Sequence, residues 1–413
     1  MSVDGLGICK VDKLVVFVKG MIVDEVADVK IIAEKKNYSI GIIDKLIEKS
    51  KYRIESDCPV SYKCGGCDFR YIDYDYQLTL KKNILDNTFK DYIVKEFIKD
   101  DNPYYYRNKV QIPLKDNKMG FYRKFSNDIV EFDDCLIESK QANSIIFDLK
   151  QLLSNTQKQY IRHILIKHSL KTNEIMIGFI VNSFDVVLDD VVSKLVNKYP
   201  NIKSIILNLN DKVTNVILGD KEKILYGNDY IYDEYDGIKV KISLKSFYQV
   251  NYNQMLKLYK LVKDLANLNS DMTVLDLYCG IGTISLYLSR YVKEVIGVEI
   301  VEQAIRNAKD NAIINNISNA RFILADARKD MDLYLENKDL VVLDPPRKGI
   351  SEQLINSLKK SNIKKIIYVS CNPATLNRDL KLLEDTYNIG EIYPVDLFPF
   401  TVHSECVVTL DRR

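Results

Sequence analysis

The run Thr273–Leu286, TVLDLYCGIGTISL, most restricts what this 413-residue chain can become. Val274–Leu277 is a short apolar strand pattern, Gly280 and Gly282 interrupt it, and a helical pattern follows. A strand, a glycine loop and a helix in succession bring backbone N–H groups up to a nucleotide-like ligand, because glycine turns tightly and leaves no side chain in the way. Nineteen residues after Gly280 a second apolar strand, Glu294–Val298, ends in Glu299. A carboxylate at that strand tip is placed to accept hydrogen bonds from the two hydroxyls of a ribose. The pattern points to an adenosine-bearing cofactor, either a dinucleotide or S-adenosylmethionine (SAM). A glycine turn followed by a solvated Glu looks the same locally, so the later motifs decide.

From about 255 to 413 strands and helices alternate strictly, as a doubly wound parallel α/β sheet requires. Residues 5–55 read differently. Short alternating runs at Leu14–Val18, Glu25–Ile32 and Tyr38–Ile47, punctuated by Gly5, Gly7, Gly20 and Gly41, predict a small β-barrel. Tyr74–Lys99 is a lysine-rich helical pattern. Residues 103–245 mix strands (Val110–Pro113, Ile175–Val181, Ile205–Leu209) with helices near Gln141–Leu153 and Asp189–Lys198, the signature of an α+β domain. Three domains follow: 1–55, 56–245 and 246–413, with the helix at about 74–99 packing on the last. No run of 18 apolar residues predicts a membrane span, and MSVDGLGICKVDK lacks the layout of a secretory signal, so a cytoplasmic location is expected.

The fourth strand of the C-terminal domain, Asp339–Leu343, runs into Asp344-Pro345-Pro346-Arg347. Asp344 falls at a strand's carboxyl end, in the crevice where such sheets bind ligands. The prolines keep the exit extended and remove two donors, leaving carbonyls to face a ligand. A dehydrogenase has no need of this tetrapeptide. The next strand, Lys365–Val369, leads to Ser370-Cys371-Asn372-Pro373. A lone cysteine is usually a small buried hydrophobe, but polar neighbours at a strand-end turn give Cys371 the setting of a nucleophile. Near the end of the chain, His403-Ser404-Glu405 precedes the strand Cys406–Leu410, and Glu405 is available as a base. His403 reads as structural, and Cys279 and Cys406 as packing residues.

The glycine loop, D-P-P-R, S-C-N-P and H-x-E, in this order and spacing, resemble the RNA uridine-5-methyltransferase family, and in particular its iron–sulfur-containing 23S rRNA members. The resemblance spans essentially the whole chain. It implies a class I (Rossmann-like) SAM-binding domain behind an N-terminal TRAM barrel, and SAM-dependent methylation of uridine C5. C5 of uracil is a poor nucleophile until a thiolate adds at C6. The resemblance gives that role to Cys371 and removal of the C5 proton to Glu405. It implies SAM contacts at Gln249, Tyr278, Glu299, Asp326 and Asp344. Thr283 in the glycine loop serves equally well as a cofactor contact or a helix cap.

Eight cysteines in such a chain are not a disulfide framework. Cys58, Cys64 and Cys67, with Gly65-Gly66 among them, and Cys135 further on supply four thiolates, suited to zinc or to an iron–sulfur cluster. Spacing alone favours zinc; the resemblance implies a [4Fe–4S] cluster, serving as a structural staple and RNA-docking element. A net charge of +2 gives no bulk support for nucleic-acid binding, so RNA contact must be local. Tyr104–Lys109 (YYYRNK) and Gly120–Lys124 (GFYRK) interleave aromatic and basic side chains, as surfaces that stack single-stranded bases do. With the four cysteines, the resemblance favours large-subunit ribosomal RNA as the substrate and leaves a tRNA T-loop uridine as the alternative. No obligate protein partner is evident.

Overall fold

A computed structural model describes residues 1–212, 216–329 and 331–413 of the chain. Its C-terminal part is a seven-stranded sheet: β1 (Thr273–Leu277), β2 (Glu294–Glu299), β3 (Ala320–Leu324), β4 (Leu340–Leu343), β5 (Lys365–Ser370), β6 (Tyr387–Val395) and β7 (Glu405–Arg412). The order is β3-β2-β1-β4-β5-β7-β6, parallel except for β7, which is antiparallel to both neighbours. LVVL in β4 is buried throughout, as a central strand covered on both faces must be. Alternate residues feed opposite layers. Val274, Val342 and Ile367 join one cluster, Leu275, Val341 and Ile366 the other.

The antiparallel β7 matters most for the site. It begins at the sheet edge where β5 ends, and the last register pair is Ser370 with Cys406. Cys371 leaves β5 next to this pair, and Glu405 opens β7.

The lysine-rich pattern predicted as a helix to residue 99 stops earlier. The helix covers Tyr74–Thr88, with the Asp73 side chain accepting from the Tyr76 N–H at its start. Beyond Phe89 the β-favouring run Tyr92-Ile93-Val94 goes extended, and Val94 and Ile98 bridge Ile392 and Val395 of β6. Tertiary pairing at a sheet edge outweighs the helical propensity of the lysines. The helix itself packs on the catalytic domain, with Leu85 and Phe89 in the same cluster as β1 and β4.

Its Lys81 is completely buried and donates to Asp396 Oδ1 at 2.6 Å and to the carbonyls of Phe398 and His403, both at 3.1 Å. Tyr74 donates to the other Asp396 oxygen at 2.7 Å. The loop between β6 and β7 is thus held by a helix more than 300 residues away in sequence.

The central sheet has six strands, including Lys109–Lys115, Ile161–His168, Ile175–Val181 and Ile202–Leu209, and the helices Lys140–Leu152 and Asp189–Lys198 cover it. The hairpin Tyr230–Tyr235/Ile238–Ser243 packs instead on the helix Glu302–Ile314 of the C-terminal part, where Lys241 N donates to Asn311 Oδ1 at 2.6 Å. At the N-terminus, where a barrel was predicted, four strands (Gly7–Val11, Leu14–Lys19, Val26–Glu34, Tyr38–Glu48) form a sheet whose ladder does not close. Three register shifts interrupt the pairing of the last two strands, and Val16, Val18 and Met21 form a small buried cluster. Among the described residues, no helix is long and apolar enough to cross a membrane.

Candidate active site

The carboxyl ends of the parallel strands and the start of β7 open into one cavity of about 940 Å³. Gln249, Tyr278, Glu299, Asp326, Asp344, Cys371 and Glu405 all line it. Chain direction explains the convergence: in a parallel sheet every strand delivers its last residue to one edge, and β7 delivers its first.

Cys371, Asp344 and Glu405 form the deep end. Burial pushes the Cys371 thiol up to about 11, Glu405 and Asp344 add to the rise, and Arg347 opposes it. Burial also raises Asp344, to about 7. Glu405 is driven well above the carboxylate range by burial and by the neighbouring Asp344. Two carboxylates in one dry site cannot readily both ionise, so the pair retains a proton at neutral pH. Glu405 Oε1 is buried with no hydrogen-bond partner. An acceptor left bare at the floor of a cavity is ready to meet a ligand atom.

Arg347, from the D-P-P-R exit, supplies the positive charge. Its Nη2 lies 3.1 Å from the ring nitrogens of His403. Burial and Arg347 hold the His403 imidazole down to about 4, so a neutral ring orients the guanidinium. Arg347 was part of a recognised motif yet had no role in the sequence reading, because its partner, His403, is set only by the fold. Phe247 was also missed; it lines the same cavity and is 61% exposed.

The shallow end suits an adenosine. Tyr278 (φ +67°), Gly280 (φ +56°) and Gly282 (φ +83°) carry the loop through left-handed conformations. A Cβ on Gly280 would meet nothing within 4 Å, so the loop backbone borders open space. Glu299 is steadied by N–H donors from Gly280 (3.2 Å), Ile300 (2.8 Å) and Val301 (2.9 Å). Asp326 is gripped by Arg328, with Nε at 2.9 Å and Nη2 at 2.8 Å, which keeps its carboxyl below the usual range. The buried Tyr278 hydroxyl is unpartnered. Thr283 turns away from the cavity: its hydroxyl accepts from Tyr259 at 2.8 Å, and Gly282 is the residue that caps the helix.

Beside this cavity is a second, of about 270 Å³, lined by Cys58, Cys64, Cys67 and Cys135 among Val60, Phe121, Phe132 and Ile137. Gly66, Arg107 and Val250 border both. Among the described residues, no group of three His, Cys, Asp or Glu side chains converges as one metal ion would need. The active-site loop is stitched to the cysteine loop. Asp68 and Phe69 N–H donate to Phe400 O at 2.8 and 3.0 Å, and Val402 N–H donates to Asp68 Oδ2 at 3.1 Å.

Comparison with known proteins agrees with this architecture. The chain superposes on the structure of Pyrococcus abyssi tRNA (uracil-54, C5)-methyltransferase in complex with S-adenosyl-L-homocysteine, covering 99% of this chain and 98% of that one, with a TM-score of 0.79 and 26% identity. An uncharacterized RNA methyltransferase of Bacillus cereus is 40% identical over 433 residues, covering 99% of this chain and 94% of the relative. One from Clostridium acetobutylicum is 40% identical over 434 residues, with the same two shares. Residues 73–413 match the family described as tRNA (Uracil-5-)-methyltransferase. A seven-stranded class I sheet, a cavity at its carboxyl edge and likeness along the whole chain lead to one conclusion: this chain belongs to the RNA uracil-5-methyltransferase family, enzymes that use S-adenosylmethionine.

Proposed function

We propose that Cys371 is the nucleophile and Glu405 the base in methylation of a uridine at C5. The observation carrying this reading is that the two side chains line one cavity, beside the last β5–β7 pair, together with Glu299 and Asp344. SAM, when bound, supplies an electrophilic methyl group. Glu299 and Asp326 are suited to its ribose and adenine, and Gln249, Tyr278 and Asp344 to the rest of it, around the open backbone at Gly280.

Cys371 passes its proton to the ionised member of the Asp344–Glu405 pair, which releases it to solvent before the last step, and Arg347 favours the thiolate. The sulfur forms a bond to uracil C6, and the displaced electron pair makes C5 nucleophilic. Once C5 is alkylated, Glu405 takes the C5 proton; the electron pair restores the ring double bond as the C6–sulfur bond breaks. Glu405 in its carboxylate form is required for that last step. The target uridine must be unstacked, since C6 is out of reach in a helix.

The four thiols line one cavity of about 270 Å³, a donor set suited to zinc or to an iron–sulfur cluster. On the strength of the family resemblance, Cys58, Cys64, Cys67 and Cys135 are read as ligands of a [4Fe–4S] cluster, which would staple the loop that carries Asp68 and Gly65. We read the units as 1–55, 56–245 and 246–413, for RNA docking, cluster and RNA support, and catalysis. A uridine in 23S rRNA is the proposed substrate, on the strength of the four cysteines. A tRNA T-loop uridine is the second reading, favoured by the likeness to the Pyrococcus abyssi tRNA enzyme.

Site-mapped nucleoside mass spectrometry on rRNA and tRNA from cells lacking the gene tests the pair. Loss of 5-methyluridine from 23S rRNA is expected; loss from tRNA alone would overturn the rRNA assignment.

A further inference from the structure

At the rim of the catalytic cavity the hairpin Phe121–Tyr122/Ile129–Val130 ends in a turn that presents Phe125 to solvent. Phe125 is 76% exposed and has φ +63°. A bulky side chain in the left-handed region is a strained choice, and Gly or Asn would fill that position more easily. The turn is nevertheless well determined: Arg123 N donates to Asp128 O at 2.8 Å, Ser126 N to Arg123 O at 3.0 Å, and Asp128 N to Ser126 Oγ at 3.1 Å. Strain held in place by surrounding bonds is a reason to look for function.

The hairpin is fixed to the cavity wall at Gly65. Gly65 N donates to Tyr122 O at 2.9 Å, and a Cβ there would lie 2.9 Å from that oxygen and 3.1 Å from Lys124 N. Lys124 binds the Asp68 carboxylate and the Asp4 carbonyl, with its Nζ 5.6 Å from the Phe125 ring centroid. Gly65 and Asp68 both line the catalytic cavity. Gly65 also borders a separate hollow of about 490 Å³ along Tyr122, Arg123, Phe125 and Asn127. The hollow and the cavity are therefore neighbours across one glycine. Tyr122 is 41% exposed there, and Arg123 is only loosely paired, 3.9 Å from Asp128.

We infer that this hollow is a stacking subsite for an unpaired nucleotide adjoining the target uridine, with Phe125 against the base and Arg123 at the phosphate. The inference rests on the reading that an RNA strand delivers its uridine to the Cys371 cavity. When that uridine swings in, its neighbours lose a stacking partner, and an exposed ring beside a cation at the cavity mouth replaces it.

The test uses full-length protein with substrate RNA carrying 2-aminopurine at each position flanking the target uridine, with steady-state kinetics in parallel. Phe125→Ala is expected to raise the RNA KM about tenfold, as the loss of one base–aromatic stack does. It should abolish the fluorescence change at one flanking position and leave kcat and SAM affinity unaltered. Phe125→Trp should restore both. Phe125→Gly should weaken RNA in the same way while leaving the thermal midpoint unchanged or higher, because glycine relieves the strained φ; a purely structural phenylalanine would lower it. Unchanged RNA KM and unchanged fluorescence in Phe125→Ala would overturn the subsite. Wild-type protein that transfers no methyl group to any RNA would instead overturn the reading beneath it.

Discussion

The two adjoining cavities are built from opposite materials. The catalytic one gathers Asp344, Glu405 and the Cys371 thiol near Arg347 at strand ends, where burial and mutual repulsion raise all three acids. The cysteine one sets four thiols among Val60, Phe121, Phe132 and Ile137, and burial lifts Cys135 to about 12 and Cys67 higher than its ordinary range. In the first, groups with displaced pKa values exchange protons with one another, as acid–base work needs. In the second, burial pushes the buried carboxyl of the wall, Glu138, up to about 7, and the thiols become thiolates when a cationic group binds and supplies the charge. On the proposed reading, one cavity serves turnover and the other retention.

Substitutions should separate the two. Cys371→Ser is expected to cut methyl transfer by about 10⁴-fold or more, as loss of a nucleophile acting within a catalytic unit does, with SAM affinity and iron content kept; turnover near wild type would remove the covalent step. Glu405→Gln should slow turnover by roughly 10²–10⁴-fold and accumulate a protein–RNA adduct, visible as a retarded band in a denaturing gel. If no such band forms, Glu405 is not the base that releases Cys371.

The strut beneath the catalytic cavity is the next effect in size. Lys81→Met leaves Asp396 as a buried, uncompensated charge, a loss on the order of 3–5 kcal/mol, measurable as a lowered urea midpoint together with reduced kcat. In the cysteine cavity, Cys135→Ser should lower iron in anaerobically purified protein and raise the RNA KM while leaving kcat close to wild type. Stoichiometric zinc in place of iron in the native protein would contradict the cluster.

The smallest effects are those of pH. With the Cys371 thiol held near 11, its thiolate fraction grows as pH rises, so single-turnover methylation should speed up between pH 7 and 9. Asp276 behaves oppositely in stability. Burial raises its carboxyl to about 7 although Ser285 donates to it at 2.5 Å. The stability it contributes is full below the ordinary carboxylate pKa and is lost as pH climbs through about 7. Asp276→Asn should therefore flatten the fall in thermal midpoint between pH 4 and 7; an unchanged slope would show that Asp276 does not titrate there.

Much of the catalytic cavity was legible along the chain because its residues sit in short motifs at strand ends. Reading a strand's end locates its last side chain at the ligand edge, so Glu299, Asp344 and Cys371 could be placed together without coordinates. What was illegible required distant segments to meet. The lysine-rich pattern to residue 99 reads as one helix until β6 offers Val94 and Ile98 a partner, and the N-terminal strands read as a barrel until their bulges leave the ladder open. Lys81 reads as one more exposed lysine, and only the fold buries it against Asp396.

Alternation of strand and helix, the glycine loop and the order of the four motifs were enough to specify a class I sheet and a methyl-transfer chemistry, because each depends on backbone geometry over a dozen residues or fewer. The meeting of Cys371 and Glu405 in one cavity, the Arg347–His403 contact and the partition into two cavities across Gly66 and Arg107 came from packing. These depend on which strands become neighbours and which charges are cut off from water, and no local stretch of chain encodes either.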